Sequence, residues 1–163
     1  MNPIASKYLK ISGATALLAA LDLGSKHWMA THFGRGQSKS ILPGVFNLTL
    51  VHNTGAAFGL GAKWSMSFFV VTSILAIGLV VYLLVRLKPE ERIPRWALIL
   101  ILSGAIGNLI DRIRQGYVVD FLDFYFKTHH WPAFNVADSC ITVGAALFFL
   151  DLLMKPKPGR TTG

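Results

Sequence analysis

Four stretches of this chain are apolar almost without interruption, roughly 11–31, 64–85, 93–110 and 134–154. Crossing a bilayer takes about 20 mostly apolar residues, so the pattern predicts four transmembrane helices in one membrane domain over residues 1–163. Two intervening stretches look different. Phe46, Leu48 and Leu50 alternate with Asn47 and Thr49, the period-two pattern of a half-buried strand. Gly55, Gly59 and Gly61 follow and permit turns or close backbone approach. The second stretch carries Tyr117, Phe121, Phe124, Tyr125, Phe126, Trp131 and Phe134, rings suited to a membrane interface. The expected fold is an all-α integral membrane protein, a four-helix transmembrane bundle. A small β-sheet excursion (33–63) and an aromatic-rich loop (112–134) would lie on its outer face.

Composition agrees with a bilayer. Of 163 residues, 53% are hydrophobic and 15% charged, with a mean hydropathy of +0.50, too apolar for a soluble domain of this size. The net charge of +8 raises the question of nucleic acid, but the basic residues are scattered at segment ends rather than gathered on a polar domain. They read as membrane anchors. Arg86, Lys88, Arg92 and Arg95 fall in one short connection, which the positive-inside rule assigns to the cytoplasm. Both termini then lie inside, with residues 33–63 and 112–134 outside. Lys7 and Lys10 before an apolar run ending near Ala19 and Ala20 resemble a cleavable leader. Asp22 and Lys26 within the same helical stretch favour an uncleaved first span. Cys140 is the single cysteine, so no intrachain disulfide is possible.

Polar residues inside the apolar runs are the candidate chemistry, because an ionisable group at membrane depth is costly and marks function. Gly104, Asn108 and Asp111 share one face of the third run, with Arg112 beside them. Asn135, Asp138 and Thr142 form a second stripe on the fourth. Gly104 and Gly107 let a neighbouring helix come close, so the two stripes can face each other in a polar pocket near the outer surface. Asp22 and Lys26, spaced i, i+4, suit an ion pair. Asp151 has Lys155 one turn on for interfacial pairing. The five histidines show no metal-ligand spacing, so no metal and no cofactor is expected. Asp120 lies in the stretch between the third and fourth runs, and Asp123 is close by and equally acidic. Two carboxylates sharing one proton can activate water against a peptide bond. They can equally relay protons in a transporter, and a polar pocket can simply hold a lipid headgroup.

Five blocks carry a resemblance: DLGSK (22–26), NTGAAFG (53–59), GAIGNLIDR (104–112), VVDF (118–121) and FNVADS (134–139). Together, in this order and spacing, they resemble the motifs of lipoprotein signal peptidase, signal peptidase II. The resemblance implies a bacterial inner-membrane aspartic endopeptidase that cleaves prolipoproteins just before a diacylglyceryl-modified cysteine. It implies no cofactor, membrane lipid as surroundings, a single chain as the working unit, and inhibition by the cyclic peptide globomycin. It makes Asp120, rather than Asp123, the partner of Asp138 in the catalytic dyad. Asn53, Gly55, Asn108, Arg112 and Asn135 become substrate-site residues, and Asp22, Lys26 and Asp111 supporting ones. Closure of residues 53–63 and 121–131 over the substrate is a further expectation.

Overall fold

The computed structural model describes residues 3–55 and 65–154. The turns expected at Gly59 and Gly61, most of the closing segment 53–63, and the Lys155 partner of Asp151 lie outside the described residues. In chain order the elements are α1 (Pro3–His32), β1 (Ser38–Leu42), β2 (Phe46–Asn53), α2 (Met66–Arg86), α3 (Arg92–Gln115), β3 (Val118–Phe126), β4 (His129–His130) and α4 (Val136–Met154).

α3 is the central helix and packs against the other three. Its small residues explain how. A Cβ on Gly104 would collide with the carbonyl oxygen of Ala137 on α4, and one on Gly107 with the carboxylate of Asp22 on α1. Glycine at both positions therefore lets three helices meet at van der Waals range. Away from this junction, Ile11, Val80, Leu84, Leu98, Ile99 and Leu102 form an apolar core shared by α1, α2 and α3. The outward faces are also apolar, with Val71, Ile74, Leu75, Leu79 and Val85 exposed on α2.

Among the described residues three helices, α2, α3 and α4, are long and apolar enough to cross a membrane. α1, at 30 residues, has the length, but Lys10, Asp22 and Lys26 lower its apolarity. The four predicted spans thus become four helices of which three meet the criterion by composition. α3 also runs on past the expected limit to Gln115, and Asp111 and Arg112 lie at its C-terminal end, Arg112 in the last turn.

The strand expected at Phe46–Leu50 is β2, and the sheet is larger than the sequence pattern indicated. Its order is β1-β2-β3-β4, with every neighbouring pair antiparallel. The stretch expected to be an aromatic loop contains strands β3 and β4. Its β-branched and aromatic residues fit a pleated surface, and Val118 to Phe121 are buried. The register shifts between Leu48 and Val51 on β2, where the chain opposes Leu122 and Asp120; the extra residue marks a β-bulge. Met29 of α1 packs with Leu50, Val119 and Phe121, fastening the sheet to one end of the bundle.

Candidate active site

Asp120 sits near the start of β3 and Asp138 in the first turn of α4, and both line one cavity of about 520 Å³. Asn53, Gly55, Asn108 and Arg112 line it too. Asn135 lies beneath the wall, fully buried, with its side chain engaged by the protein.

The start of α4 is built as a reciprocal cap. The Asn135 carbonyl Oδ1 accepts from the Asp138 N–H at 2.9 Å, while Asp138 Oδ2 accepts from the Asn135 N–H at 3.3 Å. This is the capping-box arrangement with aspartate in the usual glutamate position. The intervening Ala137 N–H donates to Asp22 Oδ1 at 2.8 Å, so α1 satisfies another donor that a helix start leaves open. The N-x-x-D spacing was legible in the sequence as a helix face. The structure shows instead that Asn135 precedes the helix and caps it.

Three side-chain amides aim at the two carboxylates, and each is oriented from behind. A lysine ammonium can only donate, so Lys26 Nζ, 2.8 Å from Asn108 Oδ1, turns the Asn108 NH2 toward Asp138 Oδ1 at 2.7 Å. The Asp138 N–H fixes Asn135 in the same way, leaving its NH2 to donate to Asp120 Oδ1 at 2.7 Å. The Gly55 N–H fixes Asn53, whose NH2 reaches Asp120 Oδ2 at 2.9 Å. Lys26 itself is neutralised by Asp22 Oδ2 at 2.7 Å and Asp111 Oδ2 at 3.0 Å, and Asp111 also accepts from the Val119 N–H at 3.2 Å. Buried charges survive when paired and hydrogen-bonded, and Asp22, Lys26 and Asp111 meet that condition in one cluster.

Burial, and then the charge of Asp138, push the Asp120 carboxyl up from 3.8 to about 7, against the amide hydrogen bonds that favour its charged form. Such a group exchanges its proton near neutral pH, as acid–base chemistry requires. Arg112 lies within electrostatic range of Asp138, Asp120 and Asp111. Phe69 and Ser73 of α2 position it, the guanidinium lying 5.7 Å from the Phe69 ring centroid and 3.5 Å from the Ser73 hydroxyl. Nothing in the sequence marked those two α2 residues, because their role depends on helix packing.

Asp123 is three residues from Asp120 and so faces the other side of the strand. It accepts from Thr49 at 2.8 Å and Asn47 at 3.5 Å, and shares a 2.7 Å bond with His130 Nδ1. Burial alone would raise its pKa, but these hydrogen bonds outweigh it and hold the carboxyl below its ordinary value. Among the described residues, no group of three or more His, Cys, Asp or Glu side chains is placed to hold a metal ion.

Comparison with known proteins follows the same outline. The family model described as Signal peptidase (SPase) II matches residues 14–154. A lipoprotein signal peptidase of Geobacter sulfurreducens is 46% identical over 123 residues, covering 74% of this chain and 77% of that protein. One from Symbiobacterium thermophilum is 44% identical over 154 residues, 91% of this chain and 98% of its own. A bacterial membrane enzyme solved by the in meso method at 2.3 Å resolution superposes with a TM-score of 0.80 at 32% identity, over 97% of this chain and 96% of that one. Agreement in sequence and in fold thus extends over nearly the whole chain, which belongs to the signal peptidase II family and is a bacterial membrane peptidase.

Proposed function

We propose that this chain removes the signal peptide of bacterial prolipoproteins on the N-terminal side of a diacylglyceryl-modified cysteine, with Asp120 and Asp138 as a catalytic dyad. The observation that carries the reading is the convergence of these two carboxylates on one cavity, each held by a preset amide donor. Asp120, with its raised pKa, carries the shared proton and hydrogen-bonds the scissile carbonyl oxygen. Asp138 takes a proton from the attacking water as its oxygen bonds to the carbonyl carbon. Asp120 passes its proton to that carbonyl oxygen, giving a gem-diol. The diol returns a proton to Asp120 as the C–N bond breaks, and Asp138 protonates the leaving amine of the cysteine. Atoms and charge balance without a cofactor. Arg112, on the cavity wall, offsets negative charge that develops on the diol oxygens.

Topology supports the same reading. α3 begins at the basic connection and ends beside the sheet. If Arg86 to Arg95 stay in the cytoplasm, the sheet and cavity lie at the outer face and both termini lie inside. A 24-residue helix is about 36 Å long against a hydrocarbon core of about 30 Å, so Asp111 and Arg112 reach the outer interface. α1 serves as the fourth span because Asp22 and Lys26 are buried in the bundle instead of facing lipid. Val118, Phe134, Ile141 and Val143 give the cavity apolar walls that accept acyl chains, and a single chain contains every residue that the step uses.

Cleavage of a diacylglyceryl-modified prolipoprotein by purified protein in nanodiscs tests this. Asp120→Asn and Asp138→Asn are expected to be folded and inactive, and chelators to leave the wild type unaffected. Full activity of either variant would sink the dyad.

A further inference from the structure

The wall of the catalytic cavity at Trp131, Pro132 and Ala133 has a second cavity of about 460 Å³ behind it, and the same three residues line both. Backbone bonds hold this stretch at its two ends. The Trp131 N–H donates to the Phe124 carbonyl at 2.8 Å and the Phe134 N–H to the Leu122 carbonyl at 3.1 Å. Between them, Pro132 has no N–H to give. The residue just before the wall, His130, belongs to a strand of two residues, too short to be secured by its ladder. Its ring is held from two sides, by the 2.7 Å bond to Asp123 Oδ1 and by stacking on Tyr125 with centroids 5.0 Å apart.

Asp123 in turn is anchored across the sheet. Its other oxygen accepts from Thr49 of β2 at 2.8 Å, and the Thr49 hydroxyl lies 2.8 Å from that of Ser38 on β1. One row of side chains thus joins all four strands on the face away from Asp120 and ends at the cavity wall. We propose that Asp123 and His130 form a clasp that positions the Trp131–Ala133 wall for substrate binding, making Asp123 a positioning residue for the peptidase reaction rather than a reacting group. The inference rests on the substrate assignment above only for its kinetic readout.

A carboxylate oxygen can only accept, so the ring donates from Nδ1 either as the charged form or as the neutral Nδ1–H tautomer, and the clasp needs a hydrogen-bond acceptor at position 123 and not a charge. Asp123→Asn keeps that acceptor and Asp123→Ala removes it. For Asp123→Ala and His130→Ala, the KM for a lipid-modified prolipoprotein rises about three- to tenfold while kcat stays within about twofold, the signature of lost uniform binding. Asp123→Asn restores wild-type KM, and the double alanine variant is no worse than either single one, as partners in one interaction require. Hydrogen exchange of the Trp131 and Phe134 amides quickens about tenfold in the alanine variants and returns to normal in Asp123→Asn. The exchange readout is independent of substrate, so an inactive wild type would count against the proposed function while the clasp was still decided. Unchanged exchange, effects that add in the double variant, or a loss confined to kcat would each overturn the proposal.

Discussion

Replacing Asp120 by asparagine should abolish cleavage and at the same time remove a pH-dependent penalty on folding. Asp120 is 2% exposed, and burial together with the Asp138 charge raises its pKa from 3.8 to about 7. The folded state therefore holds this proton more tightly than the unfolded one. Its contribution to stability is present in full below pH 3.8 and is lost as pH rises to about 7, above which the difference is constant. Over that window, at about 1.4 kcal/mol per pH unit, the loss amounts to about 4 kcal/mol. Asparagine cannot ionise, so the variant lacks the term. It also places an NH2 against one of the donors from Asn53 or Asn135, an offset of about 1–3 kcal/mol that does not depend on pH. The clean observable is the difference in unfolding free energy between variant and wild type, measured by equilibrium unfolding in mixed micelles at pH 4 and at pH 8. That difference should move by about 4 kcal/mol in favour of the variant at the higher pH. A difference that stays constant, or moves the other way, would refute the assignment of Asp120 as the buried, proton-holding carboxyl.

Other perturbations probe the supports of the site. Lys26→Met leaves Asp22 and Asp111 buried beside each other without their cation; about 3–5 kcal/mol of stability should be lost, seen as a much lower melting temperature in detergent, and a melt unchanged from wild type would contradict the pairing. Asn108→Ala removes the donor at 2.7 Å from Asp138, and because a hydrogen bond to a charged group contributes about 1.5–3 kcal/mol, kcat should fall about 10- to 100-fold with KM little altered. Gly107→Ala drives a methyl group into the Asp22 carboxylate and should cost about 1–3 kcal/mol by overpacking. Gly78→Ala, whose added carbon meets nothing within 4 Å, is the control and should melt at or above the wild-type temperature.

Long apolar runs made the helices legible, because residues facing lipid need no one-sided pattern and a bilayer fixes the length. Strand β2 was visible through its alternation, whereas β3 was not. Its inner residues Val118 to Phe121 are all buried, so no alternation marks them, and its aromatic half reads equally well as an interfacial loop. The Asn135 cap was hidden for a related reason: a cap and a helix face share the same three-residue spacing. Asp22 and Lys26 announced themselves as a pair, but their third member, Asp111, could be joined to them only by the approach of α1 to α3 at Gly107.

By itself the sequence determined that this chain lives in a membrane, which positions carry costly polar groups, and, through five motif blocks, the family to which it belongs. Tertiary structure decided what those groups do to one another. Hydrophobicity is a local property summed along the chain, and it survives without knowledge of contacts. The orientation of an amide, the proton affinity of Asp120 and the different hydrogen-bond partners of Asp120 and Asp123 depend on groups distant in sequence. Lys26 sets Asn108 across 82 residues and Asn53 meets Asp120 across 67; only packing brings them within hydrogen-bond range.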